Sequence, residues 1–121
     1  FFTYFYSVNK KECFMFYKKD LNNYRQAFDG VMFKTLTYGD KTSLGEFHLA
    51  KGFVIPSHKH PNEQTGYLVS GKVTFTIDGK DFETEPGDSW NIPGNVEHSV
   101  IIHQDSVVIE VFSPAREDYK S

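Results

Sequence analysis

HKHPNEQTGYLVSGKVTFTIDGK, residues 58–80, contains both the pattern that sets the fold and the residues that suggest a chemistry. Its second half alternates strictly. Val73, Phe75 and Ile77 share one face and Thr74, Thr76 and Asp78 the other, as on a half-buried strand. Asp78-Gly79 then supplies the positive φ angles of a tight hairpin turn. The same period of two recurs on either side, in VMFKTLTY (31–38), SLGEFHLA (43–50), TGYLVS (65–70), DFETE (81–85), HSVIIH (98–103) and SVVIEVF (106–112). Gly, Pro, Asp and Asn punctuate these runs. Short strands at this spacing predict an all-β antiparallel barrel or jelly roll, which hides strand edges by closing on itself. Only residues from about Asp20 to Ala27 have a helical pattern.

The chain has 121 residues, enough for one domain and one core. The predicted division is an aromatic-rich extension over 1–27 and a single barrel over 28–121. A formal charge of -3, with no basic block beyond Lys10-Lys11 and Lys18-Lys19, argues against nucleic acid as a partner. No stretch approaches the ~20 apolar residues of a membrane span. The opening FFTYFY has no basic n-region, so it is not expected to be a signal peptide. One cysteine, Cys13, makes no internal disulfide, and a cytoplasmic, reducing setting is expected. Phe1, Phe2, Tyr4, Phe5, Tyr6, Phe14, Phe16, Tyr17 and Tyr24 crowd the first 24 residues. Such a segment is expected to pack on the barrel or on a second copy in a homodimer.

His58 and His60, at i and i+2 on a strand, project from one face and can reach one cation, while Lys59 points away. Pro56 and Pro61 restrict the backbone around them. Glu63 and Gln64 offer a further donor, but adjacent strand residues face opposite ways, so only one of them can join the histidines. Choosing Glu63 shifts the register by one residue and exchanges the faces of Tyr67 and Val69 with that of Leu68.

Counting from Gly52, five residues precede His58; His60 follows after one more, Gln64 after three, and Gly71 after a further six. Gly87 is followed by five residues and Pro93, and His98 stands five positions later. Both halves resemble the two motifs of the cupin superfamily, over roughly residues 30–113. The resemblance implies a double-stranded β-helix (jelly-roll) barrel in which His58, His60, Gln64 and His98 bind a divalent metal. Gln64 stands where the family more often has Glu, and Asn95 where it usually has Gly. His103 lies opposite in phase to His98, Val100 and Ile102 on its strand and His48 alternates with Phe47 and Leu49, so neither is expected to be a ligand.

Three histidines and a glutamine carry no charge, so a bound divalent ion keeps its full +2 and the site favours anionic ligands. Such ligation suits Zn, Ni, Fe(II), Co or Mn. Farther on, Glu110 lies inside an apolar strand, on the face of Val108 and Phe112, either wetted or lining a cavity. The order of acid, Phe and Arg in EVFSPARED (110–118), with a Gln ligand, resembles pectin-degradation cupins that convert cyclic unsaturated uronates to linear keto acids, although that group typically has Asp as the acid. The resemblance implies Glu110 as proton-transfer group and Arg116 as carboxylate clamp. Tyr67, Trp90 and Phe112 are candidate pocket walls for a sugar face. Two other functions share the same barrel: a metal-dependent dioxygenase, and a non-catalytic binder of a small ligand.

Overall fold

The computed structural model of the chain describes residues 15–119. The packing expected of the aromatic side chains from Phe1 to Phe14 lies outside the described residues. Eight strands form the body: β1 (Arg25–Phe28), β2 (Val31–Tyr38), β3 (Ser43–Leu49), β4 (Val54–His58), β5 (Glu63–Ile77), β6 (Lys80–Thr84), β7 (Ser89–Ile92) and β8 (His98–Ser113). A single 3₁₀ turn, η1, follows at Glu117–Tyr119. The jelly roll is as the alternation predicts, but the helix is absent. Residues 16–24 have no regular structure and Arg25–Phe28 pairs with β2, so the sheet begins ahead of residue 28. Pairing of this segment with an open sheet edge outweighs its weak helical propensity.

β5 and β8 form the spine and are antiparallel along their whole length, from Glu63 opposite Ser113 to Ile77 opposite His98. Each merges two runs that read separately in the sequence. The register slips around Ser70 and Lys72, where Gly71 takes φ +99° and Ser106 Oγ accepts from the Lys72 amide at 3.0 Å. A Cβ at Gly71 would strike the Ser106 side chain, so the corner requires glycine. On one side of this corner the spine is flanked by β3 and β7, on the other by β4 and β6. The fifteen residues of β5, if straight, would span about 50 Å. Bent at the corner, the two ends of the spine instead face a common interior.

That interior is apolar at its base. Val31, Phe33, Leu49, Leu68, Val73, Phe75, Ile102 and Val108 are all buried in one cluster. Toward one end Gln64, His98, Glu110 and Arg116 are also buried. Among the described residues no helix is long and apolar enough to cross a membrane.

Candidate metal centre and acid pocket

Three loops and strand ends deliver the histidines. His58 closes β4 and sits opposite His98, the first residue of β8. His60 lies just past the strand, in a loop, and not on the strand face the i, i+2 spacing implied. It still turns inward because its Nδ1 is held 3.0 Å from the carbonyl oxygen of Asn62. The other two rings are oriented alike, His58 Nδ1 at 2.9 Å from the Pro56 oxygen and His98 Nδ1 at 2.9 Å from the Val96 oxygen. A carbonyl only accepts, so each Nδ1 carries the proton and each Nε2 offers a lone pair. The rings of His58 and His98 are 4.3 Å apart, those of His60 and His98 5.1 Å. One nitrogen from each of the three lies within 4.8 Å of the others.

Two observations test whether a cation fits. His98 is 3% exposed, and its Nε2 is a buried polar atom without a hydrogen-bond partner among the described residues. Burial holds its pKa down to about 4, and burial likewise lowers that of His60, so the rings stay neutral. His60 Nε2 then meets Gln64 Oε1 at 3.0 Å, acceptor against acceptor, with the ring's one proton committed to Asn62. An orphaned lone pair and a facing pair of acceptors suit a divalent cation, and the His58–His60–His98 cluster is compatible with one.

The strand register distinguishes Gln64 from Glu63. Gln64, Gly66 and Leu68 point into the barrel, while Glu63, Thr65, Tyr67 and Val69 point out. Glu63 accepts from Asn91 at 2.8 Å on the outer face. This alternation also removes Tyr67 from the pocket. It is 48% exposed on the outside of β5, away from the cavity that Gln64 lines. Phe112 does line the cavity, 5.8 Å from the His60 ring. Trp90 stands behind the wall, its ring 4.3 Å from Phe75 and its Nε1 donating to Glu110 Oε1 at 2.8 Å.

Glu110 faces inward and is 4% exposed. Besides Trp90, it accepts a hydrogen bond from the side-chain amide of Gln64. Burial raises its pKa to about 8, opposed by the bonds from Trp90 and Gln64. The sign of the linkage follows: a raised folded pKa means a contribution to stability that is complete below the unfolded value near 4.5 and lost as pH climbs toward 8. The metal-free protein is therefore expected to lose up to about 1.4 kcal/mol per pH unit across that window. Glu110→Gln should flatten the decline, as chemical denaturation at several pH values will show.

Gly66 escaped notice in the sequence although it stands one inward step from Gln64. A Cβ there would collide with Glu110 Oε1 and the Trp90 indole, so the glycine leaves room for that hydrogen bond. Gly66→Ala is expected to cost about 1–3 kcal/mol by overpacking. Because Trp90 is the chain's single tryptophan, its fluorescence reports the displacement directly. Arg116, at the mouth, is 8% exposed and also lines the cavity. Its Nε and Nη2 donate to the two carboxylate oxygens of Asp118 at 2.9 and 2.6 Å. His48 and His103 are remote from the cluster, on Glu46 at 2.9 Å and Thr74 at 2.6 Å.

The sequence matches the model of the Cupin domain over residues 45–113. This chain belongs to the cupin family. It is 30% identical to the pectin degradation protein KdgF of Dickeya dadantii, over 83% of this chain and 93% of that protein. The solved structure of KdgF from Halomonas sp. superposes with a TM-score of 0.79 at 26% identity, covering 85% of this cupin and 96% of that chain. An acireductone dioxygenase of Bacillus cytotoxicus is 36% identical, but over only 45% of this cupin and 35% of the enzyme's length.

Proposed function

We propose that this cupin binds a divalent metal through His58, His60, His98 and Gln64 and opens a small cyclic anionic sugar acid, converting an unsaturated uronate to its linear keto form. The observation that carries the proposal is the buried Glu110, joined through Gln64 to the histidine cluster, in a cavity that also receives Arg116. The metal when bound supplies a Lewis acid that polarises a ring or hydroxyl oxygen. With a pKa near 8, Glu110 is able both to take and to return a proton at neutral pH. Loss of the anomeric hydroxyl proton allows the ring C–O bond to open, and protonation of the former alkene carbon completes the ketone. Atoms balance without an oxidant. Trp90 and Gln64 orient the carboxyl, and Arg116 faces the substrate carboxylate.

The kinship with KdgF along nearly the full chain favours this reaction over a dioxygenase, whose likeness covers under half of it. Metal-loaded protein should remove the ultraviolet absorbance of the ring double bond from unsaturated uronates. No change in that band across such a panel would leave a binding module as the better account. A pairing of two copies belongs to the same proposal, with Tyr67 and Val69 exposed on the outer sheet face, and sedimentation will measure it.

Gln64→Glu tests the neutral ligand. It lowers the site charge from +2 to +1, so divalent metal should be held at least as tightly at neutral pH while anionic ligands bind more weakly. Glu110 loses its amide donor in this variant and meets a carboxyl instead. Glu63→Gln should alter neither affinity, since Glu63 is on the outer face. Calorimetric titration of both variants separates the two residues.

A further inference from the structure

The cavity beside the histidines has a volume of about 40 Å³, room for a few waters. Sites for small organic ligands commonly measure about 300–1,000 Å³. A sugar acid therefore enters only if the mouth rearranges. The mouth is built by β8's continuation, in which Arg116 and Tyr119 both line the cavity. The Tyr119 ring packs 4.3 Å from Phe33 and 5.9 Å from Phe112. Its carbonyl oxygen accepts from Arg25 Nη2 at 2.9 Å and from Thr35 Oγ1 at 2.7 Å.

Within this cap the two halves of the Arg116–Asp118 pair are unequal. Arg116 is fixed independently of Asp118: its guanidinium lies 5.0 Å from the Phe112 ring centre and 4.0 Å from that of Tyr119, and its amide donates to Ser43 Oγ at 3.1 Å. The Asp118 side chain is 62% exposed and lies on a three-residue turn. Its carboxylate uses the fork of two parallel hydrogen bonds by which an arginine holds any carboxylate.

We propose that Asp118 is a placeholder for the ligand's carboxylate, occupying the Nε/Nη2 edge of Arg116 in the free protein and yielding it to the carboxylate of an incoming sugar acid. This rests on the cavity being a sugar-acid site, as argued above. The exchange is one carboxylate for another, so Arg116 stays paired throughout, and Asp118 moves into water at small cost. A neutral sugar that displaced Asp118 would leave a buried guanidinium unpaired, which is strongly unfavourable. A neutral ligand therefore leaves the Arg116–Asp118 pair in place, and Asp118 competes only with a ligand whose carboxylate takes the Nε/Nη2 edge.

The test measures binding to metal-loaded protein with galacturonate and with its uncharged methyl ester, by calorimetry. Galacturonate should bind roughly three- to tenfold more tightly to Asp118→Asn and to Asp118→Ser than to the parent protein. The ester should show no such gain, and adding Arg116→Gln should abolish it. Unchanged or weaker galacturonate binding in both Asp118 variants, or no binding to any of the proteins, overturns the proposal; weaker binding would mean that Asp118 positions Arg116. Turnover is scored separately with the unsaturated uronate. Tighter galacturonate binding without turnover in any variant sustains the placeholder and removes the ring-opening function, whereas turnover with no gain in binding does the reverse.

Discussion

Glu110→Gln should lower kcat by roughly 10²- to 10⁴-fold with the metal still bound, the range typical of losing a general acid or base. The substitution keeps the size of the side chain and its ability to accept from Trp90 Nε1. It removes the titrating group while leaving the histidines untouched. Metal content measured on the same preparation separates chemistry from assembly: full occupancy with the rate intact would take proton transfer away from Glu110. Arg116→Ala, by contrast, should act mainly through KM, because a clamp grips substrate and transition state alike.

His98→Ala should have the largest effect on metal. It deletes a buried ligand whose Nε2 has no hydrogen-bond partner among the described residues, and the loss is expected to exceed the roughly 10- to 100-fold that comes from disturbing a group merely supporting a ligand. Dialysis followed by elemental analysis will show it, together with a lower melting temperature of the metal-loaded form. His103→Ala is the matched control on the same strand, since His103 is bonded to Thr74 on the outer face. Equal metal loss in both variants would contradict the face assignment of β8.

Most of the barrel was legible because its strands are half-buried, so period two survives in the sequence. Where the reading divided what the fold joins, the cause is Gly71 and the polar run around Gln104-Asp105. These residues resemble turn punctuation but bend a continuous ladder. β7 is only four residues long, too short to show a period, and β1 takes its conformation from β2. At the centre, His58, His60 and His98 form one cluster, and Gln64 Oε1 lies 3.0 Å from His60 Nε2. The face of Glu110 was not decidable from pattern, because Ile109 and Val111 are apolar yet lie on the outer side. Gly66 and Asp118 carry no signal in the sequence alone. The first matters through the space it leaves, and the second through an arginine that only the cap brings near.

The doubled spine also imposes an order of assembly. Ile77 and His98 are separated by a short stretch of chain, whereas Glu63 and Ser113 enclose the whole of β5 to β8. Loop closure favours the nearer pair, so the ladder is expected to zip from Ile77–His98 toward Gln64–Phe112. Gln64 and Glu110 are then expected to meet among the last contacts formed. An ion gripped across that seam would have little to hold in the transition state, and its stabilisation is expected in the unfolding rate, with the folding rate nearly unchanged. The metal would act as a clasp on a finished barrel, setting how long the native state persists and not how quickly it is reached.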